Sequence, residues 1–196
     1  MSELYGLVLT GGASTRMRKD KASLKFHGKK QSVYCYELLG KFCSKVFISN
    51  RKEQKNSPGQ KRFPQIHDQA PYLNIGPLGG ILSAMTKFQK VDWLVLACDL
   101  PFVNEETIHY LIAHRNSKKT ATAFISVYDN LPEPLCTIYE RHARELMIDH
   151  LNSAKTCPRK FLINADVELI NQMNPQSLDN INNPQEYKEA LKNVRK

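Results

Sequence analysis

The sequence predicts a three-layer α/β/α domain built around a mostly parallel, Rossmann-like sheet. Short apolar runs typical of buried strands alternate along the chain with segments whose apolar residues recur at helical spacing. The first such strand, "LYGLVLT" at 4–10, ends at a glycine pair, and the strongest, "DWLVLACD" at 92–99, ends at an aspartate. Because right-handed crossovers bring the ends of parallel strands to one edge, we expect the two following loops to meet at the carboxyl edge of the sheet.

The remaining elements follow from the same patterns. Strands are expected at 4–10, 45–49, within 59–68, and at 92–99, 120–128 and 134–140. Helices are expected at 32–43, 76–88, 104–115, 141–153 and 182–194. Pro77 suits a first helical turn, while Asn104 suits an N-cap followed by two acidic residues. No repeat or linker interrupts the pattern, so residues 1–196 should form a single domain.

Composition excludes several classes of protein. The chain shows no cationic leader before a long apolar run and no apolar stretch near the ~20 residues of a membrane helix, which predicts a cytoplasmic protein without membrane contact. The cysteines are odd in number, widely spaced and without a C-x-x-C pair, which indicates reduced thiols and neither a disulfide frame nor a zinc site. They are Cys35, Cys43, Cys98, Cys136 and Cys157.

Positive charge is concentrated in the first third of the chain. Residues 1–62 carry 14 Lys and Arg against 4 Asp and Glu, whereas the whole chain has a net charge of +9. Such a basic region suits either a nucleic acid or a small polyanion. A nucleic-acid surface should interleave aromatic residues for base stacking, and residues 10–25 contain none, so we expect no nucleic-acid partner.

The glycine turn after the first strand is the best candidate for a phosphate site. Gly11 and Gly12 let backbone N–H groups approach an anion, and the cations Arg16 and Lys21 follow at once. Neither the P-loop pattern G-x-x-x-x-G-K-[ST] nor the dinucleotide pattern G-x-G-x-x-G is present. From the glycines alone, an ordinary β–α turn with scattered basic residues remains an equal alternative.

A longer comparison of motifs resolves this ambiguity. The string "LTGGASTRMRKDK" resembles the opening signature of MobA-like nucleotidyltransferases, specifically the molybdenum cofactor guanylyltransferases, usually written LAGGxSxRMGxDK. Four further segments are similar to family motifs in the same order: "GPLGGILSAM", "ACDLPFV", "PEPLCTIY" and "NINNPQEY". The chain departs from the family pattern at Thr10, usually alanine, at Arg18, usually glycine, and at Lys30, usually proline.

The resemblance implies a fold of the nucleotide-diphospho-sugar transferase type and a definite reaction. GMP would pass from GTP to the terminal phosphate of molybdopterin, releasing pyrophosphate and forming molybdopterin guanine dinucleotide. Arg16 and Lys21 would bind the β- and γ-phosphates, which fits the planar fork of an arginine and the point charge of a lysine. Asp99 would hold Mg²⁺, since a hard carboxylate beside phosphate oxygens suits that ion.

The resemblance also implies binding residues around these catalytic ones. On the nucleotide side it points to the loop and to two later strand ends, namely Leu9, Thr10, Gly11, Gly12, Asn50 and Asp68. Asn180 and Asn182 would face molybdopterin or complete the metal site. The partners expected are therefore GTP and molybdopterin, with a monomeric state and transient contact with molybdenum cofactor enzymes. A related enzyme that uses CTP, or a sugar or polyol phosphate as acceptor, shares enough of these motifs to remain an alternative.

Overall fold

The computed structural model describes residues 3–10, 24–54, 56, 60–181 and 184–193. Within these ranges the strands form one seven-stranded sheet of order β3-β2-β1-β4-β6-β5-β7. Strand β6 runs antiparallel to both β4 and β5, and the other neighbouring pairs are parallel. The strands are β1 Leu4–Leu9, β2 Lys45–Asn50, β3 Gln65–His67, β4 Asp92–Ala97, β5 Ala121–Ile125, β6 Pro132–Tyr139 and β7 Val167–Ile170.

Helices cover the sheet on both faces. They are α1 Gln31–Leu39, α2 Pro77–Lys87, α3 Glu105–Ala113, α4 Ala143–Asn152, α5 Pro158–Asn164 and α6 Pro184–Asn193. A Cβ on Gly6 of β1 would meet Leu39 of α1, whereas Leu9 of the same strand lies against Gly80 of α2. Because side chains alternate between the faces of a strand and these positions differ by an odd number, α1 and α2 lie on opposite faces. The predicted three-layer α/β/α architecture is confirmed.

The central strands form the core of the protein. All six residues of β4 are buried, as its near-continuous apolar sequence predicts for a strand covered on both faces. The segment 158–170 differs from expectation, because it forms α5 and the edge strand β7 where no element was predicted. No helix in the described ranges has the length and apolar character needed to cross a membrane.

Candidate active site

Three central strands end together at the carboxyl edge of the sheet. The backbone N–H and the hydroxyl of Thr10 both donate to the Ser49 carbonyl at the end of β2, at 3.0 and 2.9 Å. The Cys98 N–H donates to the Leu9 carbonyl at 3.1 Å and so joins the end of β4 to that of β1. The structure therefore brings the predicted site residues Leu9, Thr10 and Asp99 to one edge. Thr10 stands where the family usually has alanine. Its buried hydroxyl gives this difference a physical reason, because the hydroxyl forms a hydrogen bond between β1 and β2.

The loop that carries Asp99 is held from the side of the sheet where α1 begins. The Gln31 side-chain amide donates to the Leu100 carbonyl at 3.4 Å, and His27 Nε2 donates to the Pro101 carbonyl at 2.8 Å. The His27 ring stacks on Tyr34 with ring centroids 3.7 Å apart. Burial lowers the pKa of His27, which favours the neutral form of the imidazole. These contacts hold the loop of the half-buried Asp99 against the segment that contains His27 and Gln31.

Asn50 lies at the end of β2 inside a polar network. Its side-chain amide donates to Gln60 Oε1 at 3.0 Å and to Gln65 Oε1 at 3.1 Å, and its oxygen accepts a hydrogen bond from His67 Nδ1 at 2.7 Å. The side chain is only 1% exposed, and both amide hydrogens are used within the protein. In this arrangement Asn50 fixes the loop that leads through β3 to Asp68. Sequence motifs did not indicate the two glutamines or His67 as parts of this site.

Asp68 follows β3 directly and is half-buried at the same edge. Burial raises the pKa of its carboxyl group, and the nearby positive charge of Arg51 partly opposes that shift. A carboxylate in this position can accept hydrogen bonds from the N–H groups of a base or the hydroxyls of a ribose. The geometry is therefore compatible with the nucleotide role that the resemblance implies for Asp68.

Helix α2 begins at this edge and packs closely against the site. Gly76 precedes it with a left-handed φ of 71°, and Pro77 occupies the first turn as expected. A Cβ on Gly79 would lie 2.3 Å from the Tyr72 carbonyl oxygen, and one on Gly80 would lie 2.4 Å from Ser49 Oγ. The glycine pair in "GPLGG" thus lets the helix approach both the turn after Asp68 and the end of β2.

The C-terminal segment returns to the Asp99 loop. The Ile181 backbone N–H donates to the Asp99 carbonyl at 3.0 Å, which brings Asn180 beside the predicted metal residue. Asn180 is exposed and lines a cleft of about 510 Å³ that extends toward the turn between β5 and β6. The structure therefore joins the predicted acceptor segment to the predicted catalytic strand end.

Part of the predicted site lies outside the described residues. Gly11, Gly12, Arg16 and Lys21 belong to this part, as do the departure at Arg18 and the acceptor residue Asn182. Among the residues that are described, no group of three or more His, Cys, Asp or Glu side chains could hold a metal ion. A carboxylate at Asp99 still fits Mg²⁺ chemically, because that ion is commonly held by one or two carboxylates together with substrate phosphates and water.

Most of the cysteines are shielded from solvent. All five are free, and four of them are buried. Burial raises the pKa of the Cys136 thiol to about 12, which keeps it protonated and unreactive near neutral pH.

Comparisons with known proteins identify the family. A family model described as the MobA-like NTP transferase domain matches residues 6–172. The chain is 39% identical over 184 residues to the molybdenum cofactor biosynthesis bifunctional protein of Synechocystis, covering 94% of this chain and 52% of that one. It thus spans about half the length of this relative. It is also 30% identical over 195 residues to a probable molybdenum cofactor guanylyltransferase of Clostridium perfringens, covering 94% of each chain.

A solved structure supports the same assignment at the level of the fold. The crystal structure of molybdopterin-guanine dinucleotide biosynthesis protein A from Archaeoglobus fulgidus superposes with a TM-score of 0.79 at 23% identity, covering 97% of this chain and 98% of that one. The predicted nucleotide-diphospho-sugar transferase type of fold is confirmed, as is the resemblance drawn from the five motifs. The chain belongs to the MobA-like NTP transferase family.

Proposed function

We propose that this protein transfers GMP from GTP to the terminal phosphate of molybdopterin, with release of pyrophosphate and formation of molybdopterin guanine dinucleotide. One observation carries the proposal beyond family membership. The Asp99 loop is joined to β1 through Cys98 and Leu9, and to the C-terminal segment through Ile181. A nucleotide bound at the ends of β1 and β2 and an acceptor bound at Asn180 would therefore meet at Asp99.

The nucleotide side of the proposed site consists of the ends of β1, β2 and β3. Leu9 and Thr10 lead into the glycine loop, where Gly11 and Gly12 would present backbone N–H groups to the triphosphate. Asp68 would accept hydrogen bonds from guanine or ribose. Asn50, with its side chain directed into the protein, would act by holding the Asp68 loop in place.

The reaction joins two phosphates, so charge is the main obstacle. An oxygen of the acceptor phosphate attacks the α-phosphorus of GTP, the α–β phosphoanhydride bond breaks, and pyrophosphate leaves in line. Arg16 and Lys21 would offset the charge that develops on the leaving group. No covalent intermediate on the protein is needed.

Asp99 is the residue that we propose to hold a divalent cation, Mg²⁺. Such an ion neutralises phosphate charge and polarises the phosphoryl oxygens when bound. Asp99 contributes a carboxylate whose loop is fixed through its neighbours Leu100 and Pro101. The remaining ligands would come from phosphate oxygens and water.

The acceptor side is assigned to the C-terminal segment. Asn180 and Asn182 are uncharged and would donate hydrogen bonds to the acceptor without repelling or neutralising it. We further propose that the protein acts in the cytoplasm as a monomer, with transient contacts to molybdenum cofactor enzymes that receive its product.

A nucleotide panel tests the proposal. GTP, CTP, ATP and UTP are each incubated with Mg²⁺ and molybdopterin, and pyrophosphate release is measured. We expect release that depends on both GTP and molybdopterin. Release with CTP in preference to GTP would replace the proposed donor, and release with a sugar or polyol phosphate but not with molybdopterin would replace the proposed acceptor.

A further inference from the structure

The residues that line the cleft beside Asn180 differ in charge from those expected at a phosphate-binding site. It has a volume of about 510 Å³ and lies between the turn joining β5 to β6 and the C-terminal segment. Of the lining residues that the structure describes, one is cationic, Arg159, and five are acidic: Asp129, Glu133, Asp179, Glu186 and Glu189. Such a charge balance disfavours a triphosphate and suits a ligand end that is rich in hydrogen-bond donors.

Glu133 is the carboxylate best prepared to receive such donors. Its side chain is only 18% exposed, and Oε1 accepts a charge-assisted contact from Arg159 Nη2 at 2.7 Å. The other terminal nitrogen of Arg159 contacts Asp129 Oδ2 at 2.8 Å, so the guanidinium fixes both carboxylates. Each carboxylate oxygen has two acceptor positions, and the contact with Arg159 leaves Glu133 able to accept more hydrogen bonds.

The walls of the cleft offer aromatic faces in fixed positions. Tyr128 is 77% exposed, yet its hydroxyl donates to Asp179 Oδ1 at 2.6 Å. The turn that carries it is closed by a hydrogen bond from the Ser126 N–H to the Leu131 carbonyl at 2.8 Å. Phe102 lines the same cleft and is half-buried. An exposed tyrosine held in this way resembles a preformed surface for a flat ring, since aromatic stacking gains most when little side-chain freedom is lost.

The cleft is continuous with the proposed reaction centre. Asp179 holds Tyr128, and Ile181 donates to the Asp99 carbonyl. Only one residue separates these two anchors, so their Cα atoms lie within about 7 Å of each other along an extended chain. An acceptor whose phosphate lies at Asp99 can therefore extend its other end into the cleft.

We propose that this cleft binds the pterin ring of the acceptor, with Glu133 as the residue that recognises it. A pterin carries a ring N–H and an exocyclic amino group side by side, and this donor pair matches the two oxygens of one carboxylate. Tyr128 and Phe102 would contact the flat ring. The inference rests on the proposed function in taking molybdopterin as the acceptor, and it names the group that distinguishes this acceptor from a sugar phosphate.

Binding of neopterin, a fluorescent pterin without the phosphate and dithiolene groups, tests the subsite directly. Quenching of its fluorescence is titrated with the wild-type protein and with the Glu133→Gln and Glu189→Gln variants, which remove the same charge from the same cleft. We expect Glu133→Gln to weaken neopterin binding about tenfold or more, because an amide nitrogen replaces an ionised acceptor. Glu189→Gln should change it by no more than about twofold, as for an exposed charge.

A further variant, at an exposed position, distinguishes a loss of binding from a folding defect. Tyr128→Ala changes an exposed residue and should weaken neopterin binding about fivefold or more through lost stacking. Failure of the wild-type protein to bind neopterin, an unchanged affinity in Glu133→Gln, or equal losses in both glutamate variants would each overturn the subsite. GTP affinity, measured by calorimetry, should be equal in all these proteins.

The same proteins separate the subsite from the proposed function. If the wild type transfers GMP to molybdopterin and Glu133→Gln keeps the wild-type KM for molybdopterin, the function stands and the subsite is wrong. If neopterin binding depends on Glu133 but no nucleotide is transferred to molybdopterin, the subsite stands and the proposed function is wrong.

Discussion

The Ile181 backbone N–H donates to the Asp99 carbonyl at 3.0 Å, and this bond joins the C-terminal segment to the end of the central strand β4. Two motifs that are far apart in the sequence, "ACDLPFV" and "NINNPQEY", thus form one corner of the carboxyl edge. The bond uses backbone groups only and involves no atom of the Asp99 side chain. If the proposed transfer takes place here, this arrangement would let a single loop serve both substrates.

Asp99→Asn tests the role of the carboxylate at this corner. The change keeps the size of the side chain but removes the charge that would hold Mg²⁺, so we expect turnover to fall by about 10²-fold or more while folding is retained. The measurement is the rate of pyrophosphate release as a function of Mg²⁺ concentration. Asp166→Asn is the matched control, since it removes an equal charge from an exposed ion pair with Lys119. An unchanged metal dependence in Asp99→Asn would remove this residue from the mechanism.

Lys21→Ala tests the predicted phosphate loop. The loss of a point charge on the departing pyrophosphate should reduce kcat by about 10²-fold. The comparison is with Arg18→Gly, which removes a cation from the same loop and restores the residue usual in the family, and which we expect to be tolerated. Single-turnover rates with saturating GTP give the answer. Equal losses in both variants would mean that the loop acts through its total charge and not through Lys21.

Much of the fold could be predicted because the signals were local. Three of these signals depend only on neighbours in the sequence. They are the near-continuous apolar run of β4, the Pro77 start of α2, and the Asn104 cap of α3, whose side-chain oxygen accepts from the Thr107 N–H at 2.9 Å. The edge strand β7 was not predicted. It has only four residues, which are of mixed exposure, and it is a strand because it pairs with β5.

The site was predictable to a smaller extent, because its details depend on contacts across the fold. Asn50 was expected on the nucleotide side, yet its side chain is directed toward Gln60, Gln65 and His67. Nothing in the order of residues specifies that inward orientation. The hydroxyl of Thr10 likewise gains its role only from the proximity of the Ser49 carbonyl. Motifs therefore indicated which residues belong to the edge, and tertiary packing decided what each side chain contacts.

Asn50→Ala should show that this residue supports the site from within. The change removes the hydrogen bonds of Asn50 to the buried Gln60 and to the half-buried Gln65 and His67, which should lower the free energy of unfolding by about 1–3 kcal/mol. GTP affinity should fall as well, because the loop to Asp68 loosens. Urea unfolding and calorimetry measure the two effects. Asn152→Ala, at an exposed helix position, should leave both unchanged. Loss of GTP affinity with full stability would instead indicate direct contact with the nucleotide.

His27 should make stability depend on pH in a definite direction. Burial lowers its pKa in the folded protein below the ordinary value of 6.5, so the unfolded chain binds the proton more readily. Stability should therefore fall as the pH drops from 6.5 through the lowered pKa, and it should be full above 6.5. His27→Gln keeps a donor for the Pro101 carbonyl but does not titrate. The difference in Tm between the two proteins, measured from pH 8 to pH 5, should shrink in this interval, and a difference that is constant with pH would contradict the assignment.

Gly79→Ala tests whether the glycine pair of "GPLGG" sets the distance between α2 and the site. The added Cβ would lie 2.3 Å from the backbone carbonyl oxygen of Tyr72, which cannot rotate away as a side chain could. Either α2 or the turn at 70–72 must shift, at a cost of about 1–3 kcal/mol, and that turn follows Asp68. We therefore expect a lower free energy of unfolding together with weaker GTP binding.

Gly40→Ala is the matched control for this change. Gly40 ends α1 with an ordinary φ of −61°, and a Cβ there would meet its nearest atoms at 3.4 Å, an ordinary contact. Because alanine reduces the freedom of the unfolded chain, this variant should be unchanged or more stable by about 0.4–1 kcal/mol. Urea unfolding of both variants, with GTP titrations by calorimetry, separates a general effect of adding a methyl group from the specific contact. If Gly79→Ala matched Gly40→Ala in stability and GTP affinity, the close approach of α2 would not determine the geometry of the site.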